Sequence, residues 1–335
     1  MPQRRLGART LSKQKIPRRE LNDVATIRTF RNADLPFLAR VWVEHWATVT
    51  HPPPISSAII EQALLSRTFF TASTLAIAVE EDETVQSWSH FTPHPYDPAT
   101  VVLNAICFTA EGLNSCDQLL KETENQIASQ GYVRIVAGAL RDEVAGYAGL
   151  APLGHGIGIP ATDIRTASLL SRSGYTKLQS ATRMVANTNP YRIPVSREAL
   201  QLRRTTTLSR EIWIPADPRH ASAMAHLDIE QHTLQDHRAQ ETLATLAVWF
   251  SDPEAQVMDC AECILDLNEI HDRGELTASA SFLIGSVVQS LAGRRVFKAE
   301  TCVDSDKTTL IDQLAKLNFQ STEQGHCWEK HVQAA

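Results

Sequence analysis

The chain has 335 residues, more than one hydrophobic core ordinarily supports, so two domains are expected. An apolar share of 43%, a charged share of 21% and no run of about 18 apolar residues predict a chain without membrane spans and without a membrane partner. A net charge of -6 argues against a nucleic-acid-binding body, and only six cysteines argue against a disulfide scaffold and predict a cytoplasmic setting.

Positive charge is concentrated in residues 1–22, which are predicted to form a solvated basic leader. Its charged side chains are Arg4, Arg5, Arg9, Lys13, Lys15, Arg18, Arg19 and the single acid Glu20. Nucleic-acid binding through this leader is an alternative, which predicts salt-dependent association that is lost when residues 1–20 are deleted. The preferred expectation is no nucleic-acid partner.

The first half contains a predicted strand at 100–108, followed by an amphipathic helix that ends at Gly131. Gly131 lies where a helix end takes left-handed backbone. Residues 141–160 come next and include the pattern Gly-His-Gly-Ile-Gly, for which a mobile loop is a better interpretation than a nucleotide site. Tyr147 and His155 could contact an acceptor there or be ordinary loop residues.

In the second half, residues 257–270 are predicted to form a strand that contains Cys260 and Cys263. Residues three apart on a strand face opposite sides, so a metal or redox pair is disfavoured and no metal is expected. Three histidines of this half that fall near one another in sequence do not share one helical face and are interpreted as surface residues. They are His226, His232 and His237.

The two halves show an internal repeat, in which a strand, a glycine turn, an amphipathic helix, a glycine and a second strand follow one another. Nineteen positions separate Gly112 from Gly131, and also Gly274 from Gly293. Downstream, each half has a short helix that ends in Gly174 or Asn318 before an aromatic residue and a last strand. The repeat predicts four segments: the leader 1–22, a first domain 23–188, a linker 189–204 and a second domain 205–335.

This order of elements resembles the GNAT (Gcn-related N-acetyltransferase) superfamily, and residues 27–38 resemble its first strand and first helix, with Asp34 as the N-cap. The resemblance implies an α+β (α/β mixed) fold of two tandem GNAT-like domains, each a mixed, mostly antiparallel sheet flanked by helices. It also implies an acyl-CoA-dependent N-acyltransferase, with acetyl-CoA or another acyl-CoA as co-substrate. An unidentified small amine would be the acceptor, by direct transfer.

In this superfamily a turn of the form Arg/Gln-x-x-Gly-x-Gly/Ala binds the pyrophosphate of acyl-CoA through backbone N–H groups and a helix N-terminus. Residues 273–278 match it at Arg273 and Ala278 and depart from it at Leu276. The first copy has Glu111 in place of the arginine. A unit charge about 6 Å from a phosphate is worth about 3 kcal/mol at an effective dielectric constant of about 20, so the exchange of a cation for an anion should weaken binding and the second copy is the expected cofactor site. The resemblance assigns cofactor binding to Asn268, Arg273, Gly274, Leu276, Thr277 and Ala278.

The catalytic candidate is Glu262, eleven positions before Arg273, where the histone-acetyltransferase branch of the superfamily carries its glutamate base. A solvated acid on an edge strand is the alternative interpretation. Many members carry a tyrosine acid where this chain has Leu170 and Leu314. A second functional hypothesis is therefore a non-catalytic acyl-CoA-sensing or partner-binding module, with a homodimer as one option for assembly.

Overall fold

The structure, a computed structural model, describes residues 25–49, 55–81, 83–138, 146–268 and 270–333. The predicted basic leader lies outside the described residues. The first half contains β1 (Thr26–Thr29), α1 (Leu35–Trp46), α2 (Ser57–Ile60), β2 (Leu75–Val79), β3 (Val85–Pro93), β4 (Thr100–Phe108), α3 (Leu113–Ser129), β5 (Arg134–Ala137), β6 (Ile159–Pro160), α4 (Ile164–Arg172) and β7 (Thr176–Asn187). The second contains α5 (Arg197–Thr205), β8 (Thr206–Ile212), α6 (Pro218–Ala223), β9 (Leu227–Asp236), β10 (Thr242–Ser251), β11 (Glu262–Asp266), β12 (His271–Asp272), β13 (Glu275–Leu276), α7 (Ala278–Leu291), β14 (Lys298–Asp304), α8 (Thr308–Lys316) and β15 (Gln320–His331).

One 13-stranded sheet runs through both halves in the order β1-β2-β3-β4-β5-β15-β7-β14-β11-β10-β9-β8, with β6 paired to β15. The pairs β4–β5 and β11–β14 are parallel, and the other pairs of this sheet are antiparallel. Strands β12 and β13 form a separate hairpin. The predicted mixed, mostly antiparallel α+β architecture is confirmed.

The strand order reads the same from both ends of the sheet once β1 is matched with β8, β4 with β11, and β5 with β14. At the centre, β15 lies between β5 and β7, and β7 lies between β15 and β14. Each half therefore places its last strand inside the part of the sheet that belongs to the other. The predicted boundaries at 188 and 205 divide the sequence but not the sheet. Strand β7 of the first half lies beside β14 of the second, and β15 of the second half lies beside β5 of the first.

The helices cover both faces of the sheet and bury separate apolar clusters. Leu120 of α3 and Leu170 of α4 pack with Trp328, so a residue of the second half completes a core of the first. Helices α7 and α8 bury the corresponding cluster through Leu283, Val287 and Leu314. Helix α1 packs on the opposite face of the first half, and within the described part of the chain no helix is long and apolar enough to cross a membrane.

The predicted helix ends are confirmed where a residue takes left-handed backbone. Gly131, Gly174 and Asn318 have φ of +87°, +88° and +64°. The prediction for Gly293 is wrong, because α7 continues into a 3-10 turn over 292–294 and Arg295 takes the left-handed conformation. A 3-10 turn is wound more tightly than an α-helix, and here it prolongs the helical segment past Gly293. The residue with left-handed backbone therefore follows the glycine instead of being the glycine itself.

Asp34 immediately precedes α1, as predicted for an N-cap. Its carboxylate, however, accepts a hydrogen bond from the N–H of Arg31 at 2.7 Å and binds the guanidinium of Arg28 at 2.8 Å. These contacts hold the pKa of Asp34 below its usual value, although burial acts in the opposite direction. Asp34 thus stabilises the turn before α1 instead of the first turn of the helix itself.

The strand predicted from residue 257 begins only at Glu262. The carboxylate of Asp259 accepts a hydrogen bond from the N–H of Ala261 at 2.8 Å, which makes a turn of the residues before the strand. Cys260 is exposed in that turn, and Cys263 is buried in β11. Both thiols are free, and no cluster of three or more metal-binding side chains occurs among the described residues.

The mobile loop predicted for the glycine pattern at 154–160 is wrong, because residues 153–160 are buried. Tyr147 is fully buried and His155 is 4% exposed. The glycines of this segment permit close packing: a Cβ at Gly154 would lie 1.7 Å from the carbonyl oxygen of Tyr147, and one at Gly158 would lie 2.6 Å from that of His326. The glycine pattern therefore has a steric explanation.

Two of the histidines interpreted as surface residues are buried. His226 and His232 are 1% and 4% exposed, and His237 is exposed as predicted. His226 Nε2 lies 2.7 Å from the carbonyl oxygen of Ala148, which belongs to the packed segment 146–160. From the sequence, these histidines were compared with the spacing of a helix. That comparison did not apply, because His232 lies on strand β9 and His226 immediately precedes this strand.

Candidate functional site

The connection from β11 to α7 forms the edge of a candidate site in the second half. Strands β11 and β14 run parallel, and their last paired residues are Ile264 and Glu300. The chain then passes through the β12–β13 hairpin and enters α7 at Ala278. The Thr277 side chain accepts a hydrogen bond from the N–H of Ala280 at 3.1 Å and caps the helix. The N–H groups of the first helical residues, which have no acceptor within the helix, point away from α7.

A groove with a volume of about 340 Å³ lies beside this helix start. Three elements form its walls: the first turn of α7, the last turns of α8, and the joining segment, residues 188–196, which connects the two halves and leads into the start of α5. Its lining residues are Ile193, Pro194, Ser196, Glu198, Ala199, Leu276, Ala278, Ser281, Phe282, Gln313, Lys316 and Leu317. Most of the wall is apolar, and a groove of this size and lining is typical of a small-molecule site.

The joining segment is fixed against α7 and α8 by specific contacts. The Tyr191 hydroxyl donates to the carbonyl oxygen of Leu317 at 2.9 Å, and the Asn318 side-chain amide donates to the carbonyl oxygen of Arg192 at 3.2 Å. Ile193 packs against Gly285 of α7, where an added Cβ would lie 3.1 Å from its side chain. The wall of the groove contributed by this segment is therefore ordered.

Lys316 supplies a cation to the groove, and the internal repeat explains why it is available. Arg172 and Lys316 are the last residues of α4 and α8, each nine residues long. In the first half Arg172 binds Asp117, the fifth residue of α3, at 2.7 and 2.8 Å. The fifth residue of α7 is Phe282, and Lys316 makes no ion pair within the described ranges. Lys316 is exposed and lines the groove, and no carboxylate stands at the position of α7 that corresponds to Asp117.

The structure places two of the six predicted cofactor residues, Leu276 and Ala278, in the lining of the groove. Thr277 lies between them and caps α7. The N–H of Leu276, however, already donates to the side-chain oxygen of Gln313 at 2.7 Å. The amide groups that remain at the helix start are those of the first turn of α7.

The other three predicted cofactor residues lie in and before the β12–β13 hairpin. Arg273 and Gly274 form its turn, with φ of +49° and +85°. Arg273 and Asn268 are exposed, and the N–H of Asn268 donates to Asp266 at 3.1 Å. None of the three lines the groove. Their assignment to the cofactor stays a prediction.

Glu262 begins β11, two residues before the last pair with β14. Its carboxylate forms an ion pair with Lys298, which is directly opposite it on β14, and its side chain is 18% exposed. A base would have to leave this ion pair to reach an acceptor. Leu170 and Leu314, at the positions where the resemblance led us to look for a tyrosine, are both fully buried.

In the first half, strands β4 and β5 diverge after the pair Leu103 and Ala137. The space there is a small cavity of about 10 Å³, close to the size that one water molecule requires. Asn104 and Thr166 line this cavity, and each has a buried oxygen without a hydrogen-bond partner. At the start of α3, a Cβ on Gly112 would lie 2.4 Å from the carbonyl oxygen of Gln86, and Glu111 is exposed.

A buried ionic cluster lies where the two halves meet. Glu300 of β14 is 2% exposed, binds Arg183 of β7 and lies 2.6 Å from Nδ1 of His155. Burial opposes ionisation of Glu300, but its contacts with His155 and Arg183 outweigh burial and lower its pKa to about 2. Glu323 binds the same guanidinium at 3.7 Å. The cluster joins three strands, β7, β14 and β15, to the segment that contains His155.

Sequence reasoning missed Gln313, Lys316 and the joining segment as parts of the site. A signal for Lys316 was present, because it precedes Asn318 by two positions as Arg172 precedes Gly174. The joining segment carries no comparable signal, since its contacts with α7 and α8 are distant in sequence.

No protein-family model matches the sequence, and the comparison with curated proteins gave no match. Solved structures do match. The fungal multi-domain GH3 β-N-acetylglucosaminidase with a GCN5-related glucosamine N-acetyltransferase region aligns with 93% of this chain at 12% identity and a TM-score of 0.67, and this chain spans 38% of that protein. A GCN5-related N-acetyltransferase from Sphaerobacter thermophilus aligns with 93% of this chain and 97% of its own, at 12% identity and a TM-score of 0.63.

A tandem GNAT protein from the clavulanic acid biosynthesis pathway is a third match. It aligns with 92% of this chain and 98% of its own, at 11% identity and a TM-score of 0.64. Coverage of nearly both chains includes both copies of the repeat. At such identities the likeness concerns the fold. The chain therefore has the tandem fold of the GCN5-related N-acetyltransferases.

Proposed function

We propose that this protein is an acyl-CoA-dependent N-acyltransferase, that acetyl-CoA or another acyl-CoA binds in the groove of the second half, and that a small amine is the acceptor. The observation that carries the proposal is the open groove of about 340 Å³ between the start of α7 and the end of α8. The GNAT fold of both halves supports the same reaction class.

The groove offers the chemistry that a diphosphate with an apolar arm requires. The first-turn N–H groups of α7 and the positive end of its dipole stabilise an anion. Lys316 adds a positive charge on the opposite wall, and Phe282, Leu317 and Ile193 provide apolar surface. Glu198 is the one acid among the lining residues and is exposed, so water screens its repulsion of a phosphate.

Binding can be tested by calorimetric titration with acetyl-CoA and with free CoA. The variant Ala278→Trp fills the groove at the first residue of α7 and is expected to weaken binding at least tenfold. The matched control is Leu113→Trp, at the first residue of α3, where the side chain is also exposed. Equal affinity of Ala278→Trp and the unchanged protein, or a loss of binding confined to Leu113→Trp, would contradict the assignment of the site.

In direct transfer the amine nitrogen attacks the thioester carbonyl, a C–N bond forms, the C–S bond breaks, and the amine proton passes to a base. The thiolate of CoA can leave without an acid near neutral pH, because thiols ionise near pH 8.5. Glu262 is our candidate base. The variant Glu262→Gln is expected to lower the rate of thiol release at least a hundredfold, while the affinity for acetyl-CoA stays unchanged.

Thiol release is measured with a thiol reagent across a panel of amines. The ion pair with Lys298 makes a control available: Lys298→Met frees the carboxylate without removing it and is expected to keep or raise the rate. A rate that does not respond to Glu262→Gln with an accepted amine would remove Glu262 from the mechanism.

A second candidate function is an acyl-CoA-binding module that performs no transfer. The ion-paired state of Glu262 and the buried leucines at positions 170 and 314 favour it. This module would bind acetyl-CoA and release no thiol with any amine. We further propose a cytoplasmic setting, which a total of only six cysteines supports, with no nucleic-acid or membrane partner and a homodimer as one assembly to be tested.

A further inference from the structure

Gln313 of α8 makes a paired contact with the backbone just before α7. Its side-chain oxygen accepts from the N–H of Leu276 at 2.7 Å, and its side-chain NH₂ donates to the carbonyl oxygen of Leu276 at 3.1 Å. The carboxamide therefore satisfies both backbone groups of one residue, as a neighbouring strand would. This contact ties α8 to the short strand β13.

The contact lies between the groove and the interior of the sheet. Leu276 and Gln313 both line the groove, and the side chain of Leu276 is 6% exposed. It belongs to the same buried cluster as Leu314 of α8 and Leu265, the first residue of β11 beyond the last pair with β14. The pairing of β11 with β14 ends at Ile264 and Glu300. A ligand that extends from the groove toward the end of this pairing must separate Leu276 from Gln313.

We propose that Gln313 is a closing residue that competes with the ligand for the backbone of Leu276. The inference rests on the proposed function. The pairing of one donor with one acceptor identifies the class of group that can replace the carboxamide: an amide in an extended chain, such as those of the pantetheine arm of acyl-CoA. Binding then exchanges two intramolecular hydrogen bonds for two to the ligand, which makes the apparent affinity lower than the groove alone would give.

The test measures the affinity for acetyl-CoA by calorimetry in the full chain. Gln313→Met keeps the length of the side chain and removes both hydrogen bonds, and Gln313→Ala also removes the bulk. Both are expected to bind acetyl-CoA between about threefold and thirtyfold more tightly, the range that one to two ordinary hydrogen bonds provide. Thr309→Ala, an exposed and uncharged change on the same helix outside the groove lining, is the control and should leave the affinity unchanged.

The outcomes separate this inference from the proposed function. Binding by the unchanged protein together with equal or weaker binding by both Gln313 variants, each confirmed as folded by its melting curve, overturns the closing role and leaves the groove assignment intact. Binding by the variants alone supports both. No binding by any of the proteins overturns both. Desulfo-CoA, which keeps the amides and lacks the thiol, should show the same gain, and a gain restricted to thioesters would contradict competition by amides.

Discussion

His90 of β3 and His226 are the residues whose burial has the clearest energetic consequence. Both are 1% exposed, and burial lowers the pKa of each to about 4. His90 Nδ1 lies 3.0 Å from the Tyr147 hydroxyl, and His226 lies 3.1 Å from the guanidinium of Arg67. A second positive charge beside Arg67 and a charge in the apolar surroundings of His90 are both unfavourable, so the fold holds these imidazoles neutral.

We therefore expect the free energy of unfolding to fall as the pH is lowered from about 6.5 to about 4. The unfolded chain binds protons at these histidines below pH 6.5, whereas the folded chain does not until about pH 4. The full contribution is present above pH 6.5, and each histidine removes about 3 kcal/mol by pH 4. Urea unfolding at a series of pH values measures the slope, which His90→Phe should reduce.

The control for the pH series is His237→Gln, because His237 is exposed. That substitution should leave the slope unchanged. A free energy of unfolding that is constant between pH 6.5 and pH 4.5, or that responds equally to both substitutions, would contradict the role of burial.

At the scale of elements, the difference between the two helix pairs decides where a ligand can bind. The α3–α4 pair is bridged by the ion pair of Arg172 with Asp117, whereas the α7–α8 pair has Phe282 at the position of the acid and borders the groove. Duplicated elements thus differ at one partner of an ion pair. The α7–α8 pair therefore keeps the cation Lys316 without the carboxylate that binds its counterpart in the first half, and a cation of this kind can bind a phosphate.

The variant Phe282→Asp should recreate the ion-paired arrangement in the second half. A carboxylate on the fifth residue of α7 can bind Lys316 and repel a diphosphate, so we expect at least a tenfold loss of affinity for acetyl-CoA. Phe282→Ala controls for the loss of apolar surface, and Asp117→Asn controls for a charge change at the matching position of the first half. Equal affinity of Phe282→Asp and Phe282→Ala would show that charge is not the cause.

Much of the element pattern was predictable because local chemistry decides it. The left-handed residues Gly131 and Asn318 end their helices as expected, and β4 covers the predicted residues. The strand before Glu262 was mispredicted because an Asp259 side chain can replace a strand partner locally. Of the groove, the sequence could predict only the helix start at one wall. The other walls could not be predicted, since Gln313 and Ile193 reach the groove through contacts remote in sequence.

At the scale of the whole molecule, the exchange of β7 and β15 makes the halves interdependent. Strand β15 pairs with β5 and β7, and Trp328 of β15 belongs to the core under α3 and α4. The buried carboxylate of Glu300 adds contacts with Arg183 and His155 of the first half. Sequence analysis predicted two copies but not this exchange, because a repeat specifies what each copy contains and not which neighbour each strand selects.

We expect residues 23–188 expressed alone to be unfolded or aggregated, because β5 and β7 would lose their shared neighbour and expose strand edges. Expression of 189–335 alone should give the same result. Produced together from one cell, the two pieces should form a soluble one-to-one complex, detected by affinity capture and size-exclusion chromatography with light scattering. A monomeric, cooperatively unfolding first piece would contradict this dependence.

The position of β15 also bears on how the chain is made. Residues 320–331 are synthesised nearly two hundred positions after those of β5, yet they pair with β5. The first half must therefore remain without this strand until β15 has been made, so it cannot complete its part of the sheet by itself during translation. A ribosome that stalls before residue 320 would leave an unpaired strand edge at β5, through which the first half is prone to associate with other chains.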